Sequence, residues 1–198
     1  MPDRPNILLV TLDSVRPDHL GCYGYRGTET PQIDRLAAEG VRFTAAYTQA
    51  PNTWVAHASL LTGCIPPRHG LRWPLGRVRA EVPTLAELLR AAGYATFGLP
   101  ALSLLSRESG FARGLETYGL EGLVSEFSGA VHFRPLGETL RLLREWLAAG
   151  APRGAADRPV FLWVHYFGTH VAQGTAAVQM FDLPAADRAR YSPYAQCY

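Results

Sequence analysis

Two stretches of the chain are apolar with barely a polar break. Residues 6–12 (NILLVTL) and 160–167 (VFLWVHYF) are rich in β-branched and aromatic side chains. That pattern predicts buried strands of a parallel sheet, the first of them central, because neither face is left polar. Residues 94–99 (YATFGL) predict a further strand, and residues 41–48 another. Helical spacing lies between them. Residues 83–92 (PTLAELLRAA) carry apolar side chains at 85, 88, 89 and 92, and Gly93 follows as a stop. Residues 136–149 carry leucines at 136, 140 and 143, with Trp146 and Leu147 beyond. Residues 30–39 open on Thr-Pro and end before Gly40, and residues 53–62 end before Gly63, so both predict helices. Residues 150–158 read as a Gly/Ala/Pro/Arg linker. From residue 171 to residue 198 the pattern fades, with room for a short helix and no evident strand.

Strands alternating with helices predict an α/β fold with a mainly parallel sheet. In such sheets, sites gather at the carboxyl ends of the strands. The 198 residues suit one domain. At 47% hydrophobic and 18% charged, the chain can bury a sizeable core. A formal charge of +2 gives no reason to expect nucleic acid or a membrane surface as partner. No apolar run approaches the ~20 residues of a membrane helix. The start of the chain does not resemble a signal peptide, so a soluble cytoplasmic protein is expected. Cys22, Cys64 and Cys197 are odd in number and match no metal spacing, which argues against a disulfide framework. All 19 basic residues are arginine, so no side-chain amine is available for chemistry.

Three places carry candidate chemistry. Asp13 directly follows the first strand, where its carboxylate either binds a hard cation such as Mg2+ or Ca2+ or caps the following turn. Thr53 opens a helix, in the sequence Asn52-Thr53-Trp54-Val55-Ala56-His57. Free N–H groups at that helix end suit an anion, and a hydroxyl there could attack a bound sulfate or phosphate. His57 shares a helix face with Thr53. The plain alternative is that Asn52 or Thr53 is only the N-cap and His57 a surface or core histidine. His165 lies inside the late apolar strand and reads as a satisfied core histidine. His170, past its end, either assists a leaving group or sits in a loop. His69, in Pro66-Pro67-Arg68-His69-Gly70, reads as part of a tight turn, and Arg68 and Arg72 as solvated.

Together these pieces resemble the sulfatase family of the alkaline-phosphatase-like superfamily. RPNILLVTLDSVRPDHLGCYGY (4–25) is similar to the family's opening strand and metal loop. Residues 30–70 are similar to its helix, strand and nucleophile segment, and TLAELLRAAGYATFGL (84–99) and FLWVHYFGTH (161–170) follow in the family's order. The resemblance implies an alkaline-phosphatase-like fold and a metal-dependent hydrolase of sulfuric or phosphoric esters. It implies that Asp13 and Thr53 bind a divalent cation, usually Ca2+ in the family, with Mg2+, Mn2+ and Zn2+ as alternatives. It also implies that Thr53 is the nucleophile, that His57 stands where an arginine would balance charge, and that His170 contacts a small anionic ester substrate.

Departures from the family pattern narrow these expectations. The family's Cys/Ser-x-Pro-Ser-Arg motif, whose first residue becomes formylglycine, here reads Thr-Trp-Val-Ala-His. Formylglycine forms from cysteine or serine, so Thr53 excludes it and shifts weight towards phosphodiesterase or phosphotransferase chemistry. Members of the family are about twice this length or more, so residues 1–198 correspond to the amino-terminal, incomplete part of its catalytic domain. A non-catalytic sulfatase-like protein is the competing expectation. An oligomer that shares metal ligands is a third.

Overall fold

The computed structural model describes residues 4–72, 76–125, 132–150 and 158–169. In chain order the elements are β1 (Ile7–Leu12), α1 (Pro31–Glu39), α2 (Thr53–Thr62), α3 (Pro66–His69), α4 (Leu85–Ala91), β2 (Ala95–Leu99), β3 (Thr117–Tyr118), β4 (Val124–Ser125), β5 (His132–Phe133), α5 (Leu136–Ala148) and β6 (Val160–Tyr166). The chain divides into two compact units, residues 14–48 and the remainder. Most of the expected linker over residues 150–158, and the whole of the stretch 171–198 with its room for a short helix, lie outside the described residues.

In the larger unit, β1, β6, β2 and β3 form a parallel sheet in that order. Side chains alternate between the two faces of a strand. One face carries Ile7, Leu9, Phe161 and Trp163, which pack with Ala58 and Leu61 of α2 and with Leu85, Ala86 and Leu89 of α4. The other carries Ala95, Phe97, Leu162 and Val164, covered by Leu143 and Trp146 of α5. Helices on both faces explain why β2 and β6 read as apolar throughout.

The helix boundaries follow local chemistry. Thr84 caps α4 through a reciprocal box: the Glu87 N–H donates to Thr84 Oγ1 at 3.1 Å, and the Thr84 N–H to Glu87 Oε2 at 2.8 Å. This moves the start of α4 from the expected residue 83 to Leu85. α2 ends at Gly63, whose φ of 65° places it in the left-handed region that a Cβ disfavours.

β1 departs from its expectation. It is parallel, but among the described residues it pairs only with β6 and so forms an edge, not the centre. Leu8, Val10 and Leu12 on its second face are 65%, 51% and 38% exposed; among the described residues, α5 packs over β6 and β2.

The smaller unit is built on α1. Asp34 Oδ1 accepts from the Cys22 N–H at 2.6 Å and the Thr30 hydroxyl at 3.0 Å, and Thr30 Oγ1 accepts from the Gly21 N–H at 2.9 Å. A Cβ at Gly21 would lie 2.4 Å from Asp34 Oδ2, so the close approach requires glycine. The strand expected over residues 41–48 does not form. Val41, Phe43 and Tyr47 are 82%, 69% and 84% exposed: strand-forming side chains with no partner strand remain irregular.

Candidate active site

The site is built where β1 and β6 end and α2 begins, all within the larger unit. The Asp13 N–H extends the parallel ladder by donating to the Tyr166 carbonyl at 2.9 Å. Positions two apart share a strand face, so Thr11 and Asp13 look the same way. Thr11 pairs with His165 in the β1–β6 register, which puts His165 on that face too. The main chain of Asp13 is held a second time, because the Thr169 hydroxyl donates to its carbonyl.

Thr53 is the first helical residue of α2. Asn52 precedes it in an extended conformation and makes no side-chain cap bond, so the N–H groups of this ten-residue helix are not occupied by their own N-cap. The Thr53 hydroxyl donates to Asp13 Oδ2 at 3.0 Å. His165 Nε2 lies 3.3 Å from the same oxygen. His165 Nδ1 accepts from the Ala101 N–H at 3.2 Å, so the ring proton is on Nε2 and is donated to Asp13. One buried carboxylate oxygen therefore gathers a hydroxyl from α2 and an imidazole from β6. The apolar neighbours of His165 predict a core role. It is fully buried, as expected, but its bond to Asp13 makes it part of the site.

His57 is also buried, and both ring nitrogens are engaged. Nδ1 lies 2.7 Å from the Thr53 carbonyl and Nε2 lies 3.1 Å from Thr11 Oγ1. Burial, and then the neighbouring His165, push its pKa down from 6.5 to about 4. The ring is thus neutral at pH 7, and it bonds the main chain of Thr53 rather than the hydroxyl. An arginine at this position would carry charge to the site; His57 brings none near neutral pH.

The depressed pKa sets a pH dependence of stability. Between about pH 6.5 and 4 the unfolded chain binds the His57 proton and the folded chain does not. Stability is therefore complete above pH 6.5 and falls as the pH drops towards 4. For the metal-free protein, the His57 contribution lost by pH 4.5 is about 2–3 kcal/mol at 1.36 kcal/mol per pKa unit. Urea unfolding at pH 7.5 and 4.5 checks it against His57→Gln, which cannot titrate in this range. The wild type should lose more stability than the variant, and equal losses would refute the assignment.

Two further groups resolve as structural. His69 Nδ1 accepts from the Leu71 N–H at 3.2 Å, so Nε2 carries the proton that faces Ser59 Oγ at 3.0 Å. A ring that donates to a serine cannot take its proton, so the pair closes the turn after α2 and does not activate a nucleophile. Arg68 and Arg72 are exposed, as expected of solvated side chains. His170 lies outside the described residues.

The carboxylate of Asp13 and the hydroxyl of Thr53 are hard oxygen donors of the kind Ca2+ and Mg2+ select. They fit such an ion in kind. They fall short in number, and no cluster of three or more His, Cys, Asp or Glu forms a metal site among the described residues.

Comparison with known proteins bears on the family and the fold. The sulfatase family model matches residues 5–197. The chain is 41% identical over 108 residues to mouse (Mus musculus) steryl-sulfatase, a match covering 48% of this chain and 17% of that protein. It is 40% identical over 99 residues to human (Homo sapiens) arylsulfatase A, covering 46% and 19%. The matched region is thus under a fifth of either relative. Among solved structures, a protein in complex with its substrate D-glucosamine-2-N,6-O-disulfate superposes with a TM-score of 0.67 at 21% identity, over 92% of this chain and 40% of that one. The phosphonate monoester hydrolase of Agrobacterium radiobacter gives 0.65 at 21%, over 83% and 41%. The fold is the alkaline-phosphatase-like one, present in part. By the family model that spans nearly all of its length, the chain belongs to the sulfatase family.

Proposed function

We propose that this chain carries the nucleophile side of a metal-dependent hydrolase of small anionic esters, with phosphorus esters favoured over sulfate. The observation that carries the reading is the Thr53 hydroxyl, held on Asp13 Oδ2 at 3.0 Å at the start of α2. The uncapped N–H groups of α2 receive the non-bridging oxygens of the ester. Thr53 Oγ1 attacks phosphorus, its proton passes to the Asp13 carboxylate it already faces, and the bond to the leaving alcohol breaks. His170 gives its proton to the departing oxygen; water then attacks phosphorus, its proton passing to His170, and the phosphate leaves as Thr53 Oγ1 takes back the proton held on Asp13. Asp13 and Thr53 would hold the divalent cation, which when bound neutralises charge on the transferring group. Threonine cannot be converted to formylglycine, and this favours phosphoryl over sulfuryl transfer.

The test is turnover by the 198-residue chain of aryl phosphate, phosphonate, phosphodiester and sulfate esters. Each is assayed with added Ca2+, Mg2+, Mn2+ or Zn2+ and with a chelator. The expected result is hydrolysis of a phosphorus ester that needs the cation and stops on chelation. Turnover indifferent to the chelator would overturn the metal requirement. A second reading, a non-catalytic member of the family that only binds an anion, draws on the uncharged His57 and the short ligand set. Absence of turnover with every ester and ion, together with saturable binding of inorganic phosphate or sulfate, would favour that reading instead.

A further inference from the structure

Thr11 and Trp163 have no place in the chemistry above, yet they form a directed hydrogen-bond chain that ends on Thr53. The Trp163 indole N–H lies 3.2 Å from Thr11 Oγ1 and can only donate. Thr11 therefore spends an acceptor position there and turns its single proton elsewhere. His57 Nε2, at 3.1 Å, is positioned to accept it. With Nε2 accepting, the ring proton is on Nδ1, and Nδ1–H donates to the Thr53 carbonyl at 2.7 Å. The Thr53 carbonyl can only accept and the Trp163 indole can only donate, so the two ends together fix the direction of every bond between them. A main-chain acceptor on α2 sets the His57 tautomer, and the Thr11 hydroxyl, turned towards Nε2, supports it.

We infer that Thr11 and Trp163 are positioning residues for Thr53, acting through the His57 ring on the main chain of the first residue of α2. Thr11 in β1 and Asp13 directly after it face the same way, so this one segment holds Thr53 twice. Asp13 holds the hydroxyl, and Thr11 holds the carbonyl by way of His57. Two attachments from one rigid segment fix both where Thr53 sits and how its side chain is turned. The surroundings leave the ring little freedom: the His165 ring stands edge-on at 4.8 Å and the Trp163 ring lies 5.9 Å away. Displacing a nucleophile by about 1 Å can cost on the order of 100-fold in rate. The inference rests on Thr53 being the nucleophile, but the bond chain can be read without any activity.

The test uses Thr11→Val, which keeps the strand-forming shape and removes the hydroxyl, and Thr11→Ser, which restores it. In the 198-residue chain, imidazole 15N correlations report the His57 tautomer, and side-chain couplings report the Thr53 rotamer. The wild type and Thr11→Ser should show one Nδ1–H tautomer and one rotamer, and Thr11→Val a mixture of both. Where the chain turns over an ester, kcat of Thr11→Val should fall about 10- to 100-fold, with KM within about 3-fold and rescue by Thr11→Ser. An unchanged tautomer and rotamer in Thr11→Val overturns the inference whether or not the chain is active. An unchanged kcat in an active chain overturns it as well. A wild type without turnover counts against the nucleophile reading alone, and the tautomer result then decides the positioning role. If Thr11→Val does not fold, Trp163→Phe removes the first donor while keeping the aromatic packing, and the same two spectra apply.

Discussion

Thr53→Ala should lower kcat of the cation-loaded chain by at least about 1,000-fold while changing KM little. The substitution deletes the attacking oxygen, which is also one of the two oxygens assigned to the cation, so the comparison is made at saturating cation; it leaves the main-chain N–H groups of α2, which do not depend on the side chain. Substrate binding through them therefore persists. The fold should tolerate the change. Alanine is the best helix former, Thr53 does not cap α2 with its side chain, and the lost bond to the Asp13 carboxylate is worth about 1.5–3 kcal/mol. Thr53→Ser keeps the hydroxyl and should retain most of the rate, although its side chain is freer to rotate. Steady-state kinetics on the preferred aryl ester provide the measurement, together with mass analysis of the peptide holding residue 53 after rapid acid quench. A phosphoryl group on that peptide is expected in the wild type and absent from Thr53→Ala. Wild-type kcat in Thr53→Ala would remove Thr53 from the chemistry.

How far the site could be read from sequence depended on the kind of signal. β1, β2 and β6 lie close to their expected bounds because each is a continuous apolar run, α4 and α5 because each carries a helical apolar period, and α1 and α2 because start and stop residues mark their ends. β3, β4 and β5 are two residues each, too short to show any period. The stretch 41–48 shows the converse, strand composition without a partner strand. Asp13 and Thr53 were legible from position, one at a strand's carboxyl end and the other at a helix start, and the structure brings them within 3.0 Å. His165 was not. Its neighbours are apolar, and only the strand register, which a single strand's sequence does not contain, sets it beside Thr11 and on Asp13. His57 was legible as a neighbour of Thr53. Its neutrality was not, because that depends on burial among His165, Trp163 and β1, which are far away in sequence.

Arg134 escaped sequence reading altogether, and its replacement should have the largest effect on stability. Its side chain is fully buried, yet among the described residues it pairs with no carboxylate. The guanidinium instead donates to three carbonyls: Nε to Glu121 at 2.7 Å, Nη1 to Pro100 at 2.9 Å and Nη2 to Gly119 at 3.1 Å. Pro100 follows β2 and Gly119 follows β3, so one side chain ties together the loops at the carboxyl ends of two neighbouring strands. Burial lowers its pKa from the usual value, but arginine remains protonated across the working range. Arg134→Met fills much of the volume and leaves the buried carbonyls of Pro100 and Gly119, and the partly buried one of Glu121, without this donor. Each unsatisfied group costs about 1–3 kcal/mol, and because neighbouring losses do not simply add, the expected total is about 3–5 kcal/mol. Arg134→Lys should recover little of this, since a single ammonium cannot span the three carbonyls that the planar fork reaches. Urea titration would show the midpoint falling at constant m, as for a loss of stability within one folded state. A change under about 1 kcal/mol would mean that the loops hold their shape without the guanidinium. The effect should also reach the active site. Ala101, next to Pro100, supplies the N–H that fixes the His165 tautomer, and its own carbonyl accepts from the Arg134 N–H at 2.9 Å. Loosening this loop should therefore free His165 Nδ1 and weaken the bond from Nε2 to Asp13. The His165 ring nitrogens should report that change in variants still folded at low urea.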